Sequence, residues 1–259
     1  MLEQIHIPGC KAACFYTGPP LSQGAMPALI YFSISAKDSL CLPPFNSPAT
    51  LLNLSKIRIF SFTLPFHGDM GASHNQPGHV SPEKAIGAWA DAFARNEDPL
   101  KPFISEINLA INTLHAQGSI STGKLFIAGL SRGAFIATLL AATNPLINHV
   151  LGFAPLIDLS GTQEFSALKE SSALKEYDLR NLTEQIYSKN FRFYIGNADA
   201  RVNTRKSFDF IYACTKKALS HKIRSAPFEL IVYPSIGRDG HGTPEPIFSS
   251  GAKWIESFL

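Results

Sequence analysis

Short apolar runs alternate with amphipathic stretches from about residue 28 to the end of the chain. The runs at 28–34, 57–63, 124–128, 149–153, 191–195 and 228–233 have the length and composition of buried strands. Between them, Ile86, Trp89 and Phe93 share one face of a helix over 82–94, and Ile104, Ile107, Ile111 and Leu114 recur at steps of three or four in the next. Such alternation predicts an α/β fold, a mostly parallel central sheet flanked by helices on both faces. Residues 2–17 read instead as a small antiparallel hairpin on the sheet edge, turned at Pro8-Gly9.

One stretch departs from this rhythm. Residues 162–188 are polar, helical in pattern and partly duplicated (SALKESSALKE, 166–176), and they lengthen a connection that is normally short. The expectation is a single domain over 1–259 in which 162–188 forms a short helical cap above the carboxyl edge of the sheet, where open α/β sheets bind ligands. With 45% apolar residues the chain has ample core material, so neither a disulfide scaffold nor a second domain is needed. The net charge of +3 is scattered without a block of like charges, which argues against a nucleic-acid-binding arm. Cys10, Cys14, Cys41 and Cys214 show no CxxC spacing and follow no secretory leader, so reduced thiols and a cytoplasmic location are expected. No run approaches 18 uninterrupted apolar residues, so no membrane span is expected. A charged fraction of 17% beside 19 Phe hints at apolar surface around a site or an interface.

The chemistry concentrates in three short segments. Residues 124–143, KLFIAGLSRGAFIATLLAAT, carry a strand into Gly129-Leu130-Ser131-Arg132-Gly133 and directly on into an apolar helix. That is GxSxG in strand, turn, helix context, where the tight turn forces the serine into strained backbone angles and side chains at the two glycines would collide with neighbouring elements. Ser131 would project above the sheet edge at a helix N-terminus, which favours developing negative charge on a substrate. The alternative is a glycine-rich turn with an inert capping serine.

A serine hydroxyl needs a general base, and the base needs a third group to hold its tautomer. After this type of turn the acid and then the histidine follow the serine in the chain, leaving His221 and His241 as candidates. His221 closes a helical pattern; His241 lies in SIGRDGHGTPEP, a loop just after the last strand with Gly240 and Gly242 to turn it over the sheet edge. His241 is therefore the expected base. For the acid, Asp199 follows the strand FRFYIG in the turn NADARVNT, and Asp158, one strand earlier in APLIDLSG, is the competitor. Asp239 is too near His241 in the chain to orient its ring, and Asp178 and Asp209 sit in helical patterns.

GLSRG, GNADARV and DGHGTP, in that order and spacing, resemble the α/β-hydrolase family, in particular its dienelactone hydrolases, serine aminopeptidases and prolyl oligopeptidase catalytic domains. The likeness covers residues 28–259. It implies an oxyanion hole of two backbone N–H groups, one from Arg132 and one from the loop after the first parallel strand. That loop reads FSISAKDSL where the family often has HG or HGG, and Ser35 is the chosen donor. TLPFHGDMG (63–71) resembles the family's PxHG turn, with Thr63 where an aspartate often stands and His67 in a structural role. His67, Asp69, His74 and His79 could suggest a metal, but no HExxH, HxHxDH or cysteine pair accompanies them.

The reading is a serine hydrolase acting on an ester or amide through an acyl-enzyme on Ser131, carboxylesterase-like, with no cofactor. The alternatives are a serine peptidase of the prolyl oligopeptidase or aminopeptidase type, and a non-catalytic binding protein of the same fold. The expected partner is a small ester or short peptide, and the side chain of Arg132 is either solvated or directed at a substrate carboxylate.

Overall fold

The computed structural model describes residues 2–70 and 78–259. Its sheet has eight strands: β1 (Glu3–Ile5), β2 (Cys14–Thr17), β3 (Met26–Phe32), β4 (Arg58–Phe62), β5 (Ile120–Leu130), β6 (His149–Phe153), β7 (Asn190–Gly196) and β8 (Phe228–Tyr233). They lie in the order β1-β2-β4-β3-β5-β6-β7-β8. β3 to β8 are mutually parallel, while β1 and β2 form an antiparallel hairpin added beside β4. The hairpin expected over 2–17 is thus present, with Gly9 at φ 80° and Cys10 N–H closing the turn on Ile7 O at 3.0 Å.

The helices are α1 (Ala36–Cys41), α2 (Ser47–Leu52), α3 (Pro82–Ala94), α4 (Leu100–Ala116), α5 (Arg132–Thr143), α6 (Ser172–Lys175), α7 (Thr183–Ile186), α8 (Thr204–Ser220) and α9 (Glu245–Glu256). They divide between the two faces of the sheet. Ala28, Ile30 and Phe32 of β3 join α3, α4, α5 and α8 in one apolar layer. Leu29 and Tyr31 point the other way, into a smaller layer with Leu40, Leu52, Phe248, Trp254 and Ile255. Burial on both faces is why these strands read as continuous apolar runs rather than alternating ones.

Three expectations change. α1 and α2 occupy what the sequence presents as loop after β3; α1 is one and a half turns long, started by Ser35, whose Oγ accepts from Asp38 N–H at 3.2 Å, and so too short to show a period. The 162–188 stretch is a chain of short turns, among them 3-10 turns at Gln163–Leu168 and Leu179–Leu182, and not one helical stretch. Its apolar anchors Phe165, Leu174, Leu179 and Ile186 are buried in the same layer as β3. Most phenylalanines are likewise consumed by the core, and Phe208 on α8 is the one strongly exposed, at 49%.

Among the described residues no helix is long and apolar enough to cross a membrane. The four cysteines are unbonded to one another; Cys10, Cys14 and Cys214 are buried and Cys41 is exposed.

Candidate active site

β5 ends at Leu130 and α5 begins at Arg132, so Ser131 alone makes the turn between them, at φ 56° and ψ −115°. A non-glycine residue in that region stores roughly 1–3 kcal/mol of strain and persists only where its surroundings fix it. Here its N–H donates to Phe153 O at 2.8 Å, and its carbonyl accepts from Ala134 N–H at 3.0 Å and Leu156 N–H at 3.2 Å. The flanking glycines are dictated by sterics. A Cβ on Gly133 would lie 2.0 Å from the carbonyl oxygen of Phe32, and one on Gly129 would lie 2.1 Å from the carbonyl carbon of Gly133.

His241 reaches this turn from the loop after β8. Gly242 N–H donates to Ile236 O at 2.8 Å, and Gly237, Asp239 and Gly240 all take positive φ, which doubles the chain back over the sheet edge. Gly240 packs so tightly on the turn after β7 that a Cβ would stand 2.4 Å from Ala198 O. The two loops are also joined by polar bonds, Ala200 N–H to Asp239 O at 2.9 Å, Ala198 N–H to Ser235 Oγ at 2.7 Å and Ser235 N–H to Asn197 Oδ1 at 3.0 Å.

These loops bring Ser131, His241 and Asp199 into one chain of hydrogen bonds. His241 Nδ1 lies 2.8 Å from Asp199 Oδ2, and its Nε2 lies 3.0 Å from Ser131 Oγ. Because a carboxylate only accepts, Nδ1 carries the proton and Nε2 is left to accept from the serine hydroxyl. Asp199 is 3% exposed, and its other oxygen accepts from Arg201 N–H and Val202 N–H, both at 3.0 Å. The competitor Asp158 is committed elsewhere, accepting from Lys206 Nζ at 2.7 Å and from Ser160. Asp178 pairs with Arg180, Asp209 with Arg205, and His221 lies at the end of α8 against Glu184 and Tyr187.

Two backbone donors stand out by elimination, one in the loop after β3, which runs parallel to β5, and one at the start of α5. Ser33 and Ile34 N–H both donate to Ser39 Oγ, at 3.2 and 3.0 Å, and Ala36 N–H donates to Thr63 Oγ1 at 3.0 Å. Within that loop Ser35 N–H has no acceptor among the described residues, and neither has Arg132 N–H at the start of α5.

The Arg132 side chain meets neither sequence expectation, because its Nη1 turns inward to donate to His67 Nε2 at 3.1 Å and to Pro82 O at 2.7 Å. Burial, with Arg201 nearby, pulls its pKa down to about 10. His67 is fully enclosed; Nδ1–H donates to Pro65 O at 2.9 Å, so its Nε2 is the free acceptor for Arg132. Burial first, and the Arg132 charge second, lower the His67 pKa to about 3, so the ring is neutral at ordinary pH. With both nitrogens engaged it has none left for a metal, and His74 lies outside the described residues.

The ion pair of Glu164 and Arg201 was not visible in the sequence. It is bidentate, with Nη1 to Oε2 at 2.9 Å and Nη2 to Oε1 at 2.6 Å. Arg201 stands in the NADARVNT turn, but nothing in the chain's pattern pairs it with a residue 37 positions earlier. A cavity of about 670 Å³ lies beside His67, Gly68 and Glu106 and is lined by neither Ser131 nor His241.

No protein-family model matches the chain, and no curated protein matches it significantly. Solved structures do. Porphyromonas gingivalis dipeptidyl peptidase 4 superposes with a TM-score of 0.69 at 14% identity, covering 100% of this chain and 35% of its own. An acylaminoacyl peptidase of Pyrococcus horikoshii gives 0.66 at 9% identity, over 100% of this chain and 41% of that one. A cold-adapted esterase from an Arctic intertidal metagenomic library gives 0.65 at 15% identity, over 100% and 93%. The chain therefore spans well under half of the two peptidases and nearly all of the esterase. At such low identity the likeness speaks to architecture, and with the eight-stranded sheet it establishes that this chain has the α/β-hydrolase fold.

Proposed function

We propose that the protein is a serine hydrolase that cleaves small carboxylic esters through an acyl-enzyme on Ser131. The observation that carries this reading is the unbroken path from Ser131 Oγ through His241 to Asp199, with spacings of 3.0 and 2.8 Å, on a backbone turn held at φ 56°. In the proposed mechanism Ser131 attacks the ester carbonyl as His241 Nε2 takes its proton, and Asp199 stabilises the imidazolium. The proton passes to the leaving alcohol, and water activated by the same histidine then releases the acid. The free N–H groups of Arg132 and Ser35 receive the tetrahedral oxyanion, a kind of contact that lowers the barrier by about 3 kcal/mol per donor. No step calls for a cofactor.

The likeness to an esterase, matched over 93% of its length at a TM-score of 0.65, supports the ester reading. Peptide hydrolysis is the second reading, because both reactions pass through the same kind of intermediate.

Turnover of p-nitrophenyl acyl esters of graded length, set beside aminoacyl p-nitroanilides, tests both. We expect ester turnover that Ser131→Ala and His241→Ala each abolish. Ester turnover indifferent to either substitution would contradict the proposed roles.

A further inference from the structure

Arg201 presents a problem that Glu164 solves. Arg201 lies two residues beyond Asp199 and donates its own backbone N–H to Asp199 Oδ1 at 3.0 Å, so its side chain starts beside the very carboxylate that holds His241. Guanidinium and carboxylate pair more strongly than a neutral imidazole N–H and carboxylate, and the fork of an arginine matches both oxygens at once. Left to itself, Arg201 would compete with His241 for Asp199 Oδ2. Instead both of its terminal nitrogens are engaged by Glu164, at 2.9 and 2.6 Å. Glu164 is held in position by the next residue, Phe165, which is fully buried and packs on Phe93 with ring centroids 5.9 Å apart.

We propose that Glu164 is a positioning residue for the reaction assigned to this site: by engaging Arg201 it keeps the guanidinium off Asp199 and leaves that carboxylate to His241. The inference rests on the serine hydrolase reading for its kinetic consequence, though the competition for Asp199 is a matter of geometry alone. It also gives the 162–188 segment a task within the site, because that segment supplies the carboxylate. The other charges around the site are Arg132, held inward by His67 and Pro82, Glu83 near Arg132, and Asp239 near Arg201. None of these takes the terminal nitrogens of Arg201 in place of Glu164.

The test is second-site rescue. Glu164→Gln should lower kcat by about tenfold with a smaller change in KM, since the lost energy is that of orienting the base and not of holding substrate. Its uncompensated cation should also move the acid limb of the pH profile to lower pH, by about half a unit. Arg201→Gln removes the competitor and should move that limb the other way. The double variant Glu164→Gln/Arg201→Gln should regain the kcat of Arg201→Gln. If the pair merely anchored the 162–188 segment, the double variant would be at least as impaired as Glu164→Gln, and that result would overturn the proposal. Absence of Ser131-dependent turnover in the wild type would count against the hydrolase reading instead. A crystal structure of Glu164→Gln then decides the geometry without any activity, because Arg201 turned onto Asp199 supports the competition and Arg201 still clear of it refutes it.

Discussion

The two ends of the central sheet treat buried polar groups in opposite ways. At the amino end Arg58, fully buried at the start of β4, donates to four carbonyl oxygens, those of Pro19, Pro20, Gly24 and Ser119. Its charge has no carboxylate partner there; the carbonyl dipoles hold it, and burial lowers its pKa. At the carboxyl end Ser131 is strained, the N–H groups of Ser35 and Arg132 have no acceptor among the described residues, and His241 offers Nε2 to the half-buried Ser131 hydroxyl. At the amino end the Arg58 guanidinium is spent on carbonyl oxygens of the fold itself and serves stability. The other end leaves donors open beside a strained residue, the arrangement expected where a fold gives up stability for chemistry.

Substitutions at the two ends should therefore fail differently. The largest effect expected is on turnover: Asp199→Asn should lower kcat by about 10⁴, as loss of the carboxylate leaves His241 in the wrong tautomer. Asp158→Asn, which loosens the contacts to Lys206 and Arg180, should leave catalysis within a few fold and lower only the melting temperature. Equal losses in the two variants, read from ester kinetics, would erase the distinction between these carboxylates.

Next in size is a steric effect. Gly133→Ala sets a methyl group 2.0 Å from the Phe32 carbonyl oxygen, a backbone atom that cannot yield, and should cost more than about 3 kcal/mol in a denaturant melt. Arg58→Met at the opposite end should cost about 3 kcal/mol, from four carbonyls left without their donor, while kcat of the folded protein stays unchanged. A loss of turnover in folded Arg58→Met would join the two ends that this comparison separates.

The effect that is smallest near neutral pH, and that develops only on acidification, is a pH dependence of stability from His67. Its folded pKa, about 3, lies below the unfolded value of roughly 6.5, so between these values the unfolded chain binds a proton that the native state refuses. Stability from this group is complete above about pH 6.5 and falls steadily on acidification toward pH 3. His67→Gln should flatten that part of the stability profile. An unchanged slope in urea melts at stepped pH would place the titrating group elsewhere.

Much of this was legible in the chain, for identifiable reasons. The parallel strands are buried on both faces and therefore appear as uninterrupted apolar runs, and α3 shows its period over Ile86, Trp89 and Phe93 across the 82–94 span that the structure gives it. GLSRG carries its own geometric constraint, since both glycines are required by backbone contacts that any side chain would violate. Ser131, His241 and Asp199 meet as their order in the chain suggested. What stayed hidden depends on contacts between distant segments. The inward turn of Arg132 requires His67, a buried neutral acceptor 65 positions away, and the partner of Arg201 lies in a segment whose short turns have no period to read. α1 and α2, of six residues each, are likewise too brief to show one.

The central claim is that Ser131 is a nucleophile activated by His241. Mapping by peptide mass spectrometry the site of a fluorophosphonate adduct, formed on folded protein at neutral pH, tests it most directly. A single adduct on Ser131 is expected, greatly slowed in His241→Ala and absent after unfolding. An unlabelled Ser131 in folded wild-type protein, or labelling as fast without His241, would contradict it.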